Sequence, residues 1–263
     1  MKKISLYICF SLILFLPFSC SKKDEWKGEI NYIGGVQVVT NHNQGIWEAS
    51  KKGKKIVFTE EVAIGTLEGD ENQLFHQPTY VIADQDENIY VLDSGNYRIQ
   101  KFDKNGNYLL TIGRKGQGPG EILRSFEIKL DSQNNILIFD IDNNRISKFD
   151  TRGNFLDSFS LQFTPYHGVL DSENNIYIYS RYKGKLIHKF SPQGQHLLSF
   201  MDEIKSKIKR IEPHINGSGD IGITPDNEIF LVLTYPYTIY FFNNQGKPLK
   251  KIITKAKHAI PPY

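Results

Sequence analysis

The sequence predicts an all-β fold, a β-propeller of four-stranded antiparallel blades, and three observations carry that prediction. A segment of about a dozen residues recurs four times along the chain. Each copy follows a second apolar run that opens on a polar turn. The composition, with Tyr 14 and Phe 17 against Trp 2 and with 21 Gly, favours many short strands and turns over a helical bundle.

The two clearest copies are Arg98–Leu109 (RIQKFDKNGNYL) and Arg145–Leu156 (RISKFDTRGNFL), and the pattern returns more loosely in Leu186–Leu197 and Thr238–Leu249. Each reads as a strand, a tight turn at Asn-Gly, Arg-Gly or Gln-Gly, and a returning strand. Ahead of them lie the β-branched and aromatic runs Asn88–Leu92, Asn135–Phe139, Asn175–Tyr179 and Glu228–Val232. The turns Asp84–Glu87, Asp131–Asn134, Asp171–Asn174 and Thr224–Asn227 open these runs, and each turn follows a short apolar strand such as Tyr80–Ala83. Every unit therefore has four strands. The repeated aromatic positions Phe102, Phe149, Phe190 and Phe242 are spaced by 47, 41 and 52 residues. A lone four-stranded sheet of this length cannot hide both faces, so the units must stack, and radial stacking leaves few open edges. Residues 75–263 hold four units, and 26–74, with Gly35–Val39 and Lys55–Phe58 as strands, make five at most.

At the N-terminus Lys2 and Lys3 precede an apolar run from Ile4 to Phe18, too short to span a bilayer and suited to a secretory signal. Ser19-Cys20 followed by polar Ser21–Glu25 resembles a bacterial lipoprotein signal, in which the cysteine is acylated and becomes the mature N-terminus. Pro17 and Phe18 depart from the usual leucine and small residue, and plain secretion is the alternative. The organisation expected is a signal peptide at 1–19, a tether at 20–34 and a propeller domain at 35–263. More than one acyl chain at Cys20 would hold the chain stably on a membrane. Cys9 leaves with the signal and Cys20 is acylated, so the folded domain has no thiol for disulfide, metal or nucleophilic chemistry. A net charge of +3 lacks the basic footprint of a nucleic-acid binder.

The run Gly95–Asp103 (GNYRIQKFD), with Gly116–Gly120 (GQGPG) closing the unit, resembles an NHL repeat, and the chain from about Gly35 onward is similar to bacterial lipoproteins with a six-bladed, TolB-like β-propeller. The resemblance implies six blades, so four to five of an expected six are present and the ring is incomplete. Ile260–Tyr263 falls at a blade boundary, which suggests a C-terminal truncation, with a true five-bladed ring as the alternative. It also implies a binding or scaffold module in the cell envelope, on the extracytoplasmic side, for a protein, peptide or glycan. The alternative is a metal-dependent lyase or hydrolase on the same scaffold.

Candidate sites follow from position. The connection into each innermost strand converges on the propeller axis and brings Thr79 and Tyr80, Phe126 and Glu127, Tyr166 and His167, and Asp220 to the channel mouth. No catalytic or metal set is assigned and no cofactor is expected; zinc or calcium at the mouth belongs to the enzyme alternative. Resemblance to the amidating lyases of this fold would implicate His76, His167 and His214 as zinc ligands. Gly113–Gly120 lacks the Lys-Ser or Lys-Thr of a phosphate loop and reads as an inter-blade connection. Asp84–Asn88 lacks the glycine and glutamate of a calcium loop and reads as a hairpin. No Gly-x-Ser-x-Gly elbow is present. Arg98 and Arg145, beside Asn96 and Asn144, are expected to brace turns.

Overall fold

The computed structural model describes residues 28–41, 60–207, 209–234 and 237–254. The signal peptide, Cys20, the strand expected at Lys55–Phe58 and the C-terminal residues 255–263 lie outside the described residues.

Strands β1 (Gly28–Ile33) and β2 (Val36–Asn41) form a hairpin. Four antiparallel blades follow. Blade 1 holds β3 (Pro78–Ala83), β4 (Ile89–Asp93), β5 (Arg98–Phe102) and β6 (Tyr108–Ile112). Blade 2 holds β7 (Ser125–Leu130), β8 (Ile136–Asp140), β9 (Arg145–Phe149) and β10 (Phe155–Ser160). Blade 3 holds β11 (His167–Leu170), β12 (Ile176–Tyr182), β13 (Lys185–Phe190) and β14 (His196–Asp202). A short helix α1 (Glu212–Gly217) leads into blade 4, with β15 (Gly219–Ile223), β16 (Ile229–Leu233), β17 (Thr238–Phe242) and β18 (Pro248–Thr254). The innermost strands β3, β7, β11 and β15 are successive neighbours, each packed against the next.

The apolar runs lack polar alternation because each central strand faces two neighbours. In β8 the side chains of Ile136 and Ile138 join Tyr90, Leu92 and Ile112 of blade 1, while Leu137 and Phe139 join Ile176, Ile178 and Phe190 of blade 3. The next interface packs Tyr177, Leu186 and Phe200 against Ile229, Leu231 and Phe242. Each such side chain withdrawn from water contributes about 1.5–3 kcal/mol, which is how these thin sheets become stable.

The turns set the register. Asp84, Asp131 and Asp171 each accept the backbone N–H groups two and four residues on, at 2.9–3.0 Å, and so close the turn before the central strand. Asp103, Asp150 and Asn243 do the same in the next hairpin. There Gly106, Gly153, Gly194 and Gly246 adopt φ of +83, +83, +83 and +74, the left-handed region open to glycine at no steric cost. The Asp84 carboxylate is thus occupied by its own turn. The blades are also clamped to one another at this end: the Asn174 side chain accepts from the Ser132 N–H at 2.9 Å and donates to its hydroxyl at 2.8 Å, and Asn227 holds Ser172 in the same way at 3.1 and 2.8 Å.

Two findings differ from the sequence reading. The stretch read as a tether, 20–34, contains β1, because the Gly34-Gly35 turn lets it fold back in register on β2. That hairpin then pairs in parallel with the outermost strand of blade 4, Ile252 opposite Val39, giving a six-stranded sheet. The brace of blade 2 uses Asn143 in place of Asn144: its amide donates to Asp140 at 2.6 Å beside Arg145 at 3.4 Å. Asn144 instead adopts a left-handed φ of +46.

Candidate functional site

A β-bulge builds the centre of the site. In β7 Ser125 pairs with Asp140 and Ile128 with Ile138, so Phe126 and Glu127 together face the single residue Phe139. A bulge re-aims side chains. Phe126 turns outward, exposed, with the Arg124 guanidinium 5.7 Å from its ring centroid, while Glu127 is buried. The Ser125 hydroxyl donates to the Glu127 carbonyl at 3.0 Å and fixes the bulge. Thr79 lies beside this brace, its hydroxyl 2.5 Å from that of Ser94, which donates to the Ser125 carbonyl.

Glu127 is the hub of a row of polar groups drawn from all four innermost strands. Its Oε1 lies 2.6 Å from Lys129 Nζ, which donates onward to the Tyr80 hydroxyl at 2.5 Å. Its Oε2 accepts the Gly168 N–H at 2.8 Å and stands 3.6 Å from His167 Nδ1, an ion-pair separation longer than a hydrogen bond. His167 Nδ1 is in turn 3.9 Å from Asp220 Oδ1. The side chains are 4% exposed at Glu127, 21% at Lys129, 40% at His167 and 71% at Asp220, so the row climbs from a buried carboxylate to an open one.

Burial alone would push the Glu127 carboxyl up, but His167, Lys129 and the Gly168 N–H together outweigh it and hold the carboxyl below its usual range. Lys129 is raised: desolvation works against its charge, and Glu127 and the Tyr80 hydroxyl overcome it. The Glu127 carboxylate raises His167 above its ordinary value, against a smaller opposing effect of burial, and Asp220 adds to the rise. A raised histidine stabilises the folded state fully below its ordinary pKa, and that contribution is lost as pH rises through the folded-state value. We therefore expect the His167 imidazole to titrate above 6.5 by NMR, and Asp220→Asn to lower that midpoint. A midpoint at or below 6.5 would show that the pair does not form.

His167 and Tyr166 open onto a cleft of about 560 Å³ walled by Phe163, Tyr179, Arg181 and α1. Tyr166 is exposed there. Of the expected mouth residues, the structure thus brings Tyr80, Glu127, His167 and Asp220 into one row, sets Tyr166 on the adjoining cleft, and leaves Thr79 and Phe126 outside it. Lys129 was not anticipated, although its spacing of two from Glu127 along a strand is the signal that places both near the same opening. Among the described residues no group of three or more His, Cys, Asp or Glu is disposed to hold a metal ion. His76 instead uses its backbone N–H to cap Asp93 at 2.7 Å, and His214 is exposed on α1. The glycine loop from Gly113 to Gly120 folds around the protein's own carboxylate: Glu121 accepts the Gly118 N–H at 2.8 Å and the Arg114 Nε at 3.0 Å.

The family model described as a 6-bladed beta-propeller matches residues 48–254. No curated protein matches the sequence. Among solved structures the chain is similar to a Bacteroides fragilis protein described as exported, with a TM-score of 0.57 and 18% identity over 73% of this chain and 55% of that one. It is similar to streptogramin B lyase at a TM-score of 0.51 and 15% identity, over 68% of this chain and 55% of that one. The virginiamycin B lyase of Staphylococcus aureus gives a TM-score of 0.51 and 14% identity, over 68% of this chain and 56% of that one. The chain therefore spans little more than half the length of each of these structures, and at such identities the likeness is one of fold. Four consecutive blades around a common axis and a family match running from residue 48 to residue 254 lead to one conclusion: the chain belongs to the six-bladed β-propeller family.

Proposed function

We propose that this propeller is an extracytoplasmic binding module, tethered to a membrane through Cys20, whose channel mouth takes a polar segment of a protein, peptide or glycan. The observation that carries the reading is the row Tyr80, Lys129, Glu127, His167 and Asp220, one connected set of contacts contributed by four separate blades. Building it requires a buried carboxylate, a bulge and an imidazole whose charged form is favoured by the carboxylate beside it, an arrangement that core packing alone does not need. Its open end offers a donor, His167, beside an acceptor, Asp220, and the Tyr166 ring flanks them on the cleft. Such groups recognise a ligand that carries both hydrogen-bonding partners and an apolar face. The likeness in fold to a protein described as exported supports an address outside the cytoplasm.

The test is retention of envelope components by the purified chain, compared with Asp220→Asn and His167→Ala. Loss of a charged hydrogen bond predicts retention weaker by about tenfold or more in each variant. Equal retention by both variants removes the mouth from the reading. Stoichiometric zinc or calcium lost with Glu127→Gln would replace the binding module with a metal-dependent enzyme.

A further inference from the structure

A second cleft, of about 400 Å³, lies on the flank of the propeller between blades 2 and 3. It shares Gln162, Phe163 and Tyr182 with the mouth cleft, and its remaining lining, from Ser160 and Leu161 to His196 and Ser199, is its own. Its wall is aromatic. The Phe163 centroid is 5.1 Å from that of Tyr182 and 4.6 Å from the His188 ring, and the Tyr182 hydroxyl donates to the Gln162 side chain, so these rings are held in place.

Ser199 and His196 line the groove, and the buried His188 behind them fixes which groups donate and which accept. His188 Nε2 lies 3.1 Å from the Ser180 carbonyl, which can only accept, so Nε2 carries the proton. Burial lowers the His188 pKa and so favours the neutral ring, in which Nδ1 is the acceptor and the Ser199 hydroxyl 2.8 Å away the donor. His196 Nε2, 2.8 Å from the same hydroxyl, must then donate. Ser199 is left with one lone pair facing the groove, beside flat ring surfaces.

The charge is one-sided. Lys183 and Lys185 line the groove, and among the described residues no Asp or Glu does; Lys185 also reaches Asp202 outside it at 2.8 Å. Lys183 sits in the two-residue turn of the β12–β13 hairpin with φ of +48, a backbone region in which glycine or asparagine is the usual choice. Its Nζ stands 5.0 Å from the Tyr182 ring centroid. The strain places a cation where the aromatic wall meets solvent.

We propose that this flank groove binds an acidic saccharide: a sugar ring against Tyr182 and Phe163, a hydroxyl donating to Ser199, and the sugar carboxylate beside Lys183. The proposal does not rest on the reading of the channel mouth. The test is isothermal calorimetry of the full chain with an oligogalacturonate, against a neutral malto-oligosaccharide and a polyglutamate as controls. Expected results are binding of the oligogalacturonate alone, weakened about tenfold or more by Tyr182→Ala and by His196→Ala, with melting temperatures near that of the native chain. Lys183→Ala should weaken binding and flatten its salt dependence, while Asp220→Asn at the mouth should leave it unchanged. No binding overturns the proposal. So does equal binding of polyglutamate or of the neutral sugar, full binding by a folded Tyr182→Ala, or loss of binding in Asp220→Asn.

Discussion

Asp93→Ala is expected to lower the melting temperature by roughly 10 °C, corresponding to about 3–5 kcal/mol lost when one partner of a buried ion pair is removed. Asp93 is fully buried at the end of β4. One oxygen accepts the His76 N–H at 2.7 Å; the other accepts from the Asn96 amide at 2.8 Å and the Arg98 Nε at 3.0 Å. Arg98 also donates to the carbonyls of Glu71 and Leu74, at 3.0 and 2.8 Å, so the carboxylate anchors the connection that enters β3 and thereby positions Tyr80. Alanine would leave the Arg98 guanidinium without its counter-charge and the His76 N–H without an acceptor. Thermal unfolding followed by circular dichroism measures the effect, and a drop of less than about 3 °C would show that the brace is dispensable.

Gly168→Ala is the second large effect. A Cβ at this position would lie 2.3 and 2.6 Å from two atoms of the Phe139 ring and 2.9 Å from the Tyr177 carbonyl oxygen. The ring is locked in the interface between blades 2 and 3, and the carbonyl belongs to the paired strand, so neither yields cheaply. Overpacking of this kind costs about 1–3 kcal/mol, or a melting temperature lower by roughly 5 °C. The N–H of the same residue holds Glu127, so displacement of β11 also separates the carboxylate from His167. The variant should therefore show both a lower melting temperature and a His167 titration midpoint shifted down toward the ordinary value. A native-like midpoint in a destabilised variant would mean that β11 moves without carrying the site.

The repeat was legible because its signals are local. An Asp or Asn whose side chain caps its own turn, followed by a residue of positive φ, is written within five residues, and it recurs at Asp84, Asp131 and Asp171. In blade 4 the signal is weaker, since Thr224 replaces that aspartate and its hydroxyl accepts the Glu228 N–H, at 3.1 Å. The braces were partly legible: Asp93 and Asp140 stand at the ends of corresponding strands, where blade 3 has Ser180 and blade 4 has Leu233. What the sequence hid is non-local. The bulge at Phe126 and Glu127 is a matter of register against β8, and nothing in the order SFEIK shows which of the two side chains turns inward. The union of Glu127 with Lys129 and Tyr80 depends on blade 1 lying beside blade 2. The pairing of β2 with β18 joins segments about 200 residues apart, which no periodicity announces.

The Asn–Ser clamps fasten one rim of the fan only. Asn174 and Asn227 grip the preceding blades at the turns that follow β11 and β15, whereas His167 and Asp220 stand at the opposite ends of those strands and meet only across an ion-pair distance. At the mouth, blades 1 to 3 are tied by the Lys129–Tyr80 and Gly168–Glu127 hydrogen bonds, and only the longer His167–Asp220 ion pair continues that row to blade 4. A molecule lodged there would act as a keystone, stiffening several blades at once although it touches each of them at a single side chain.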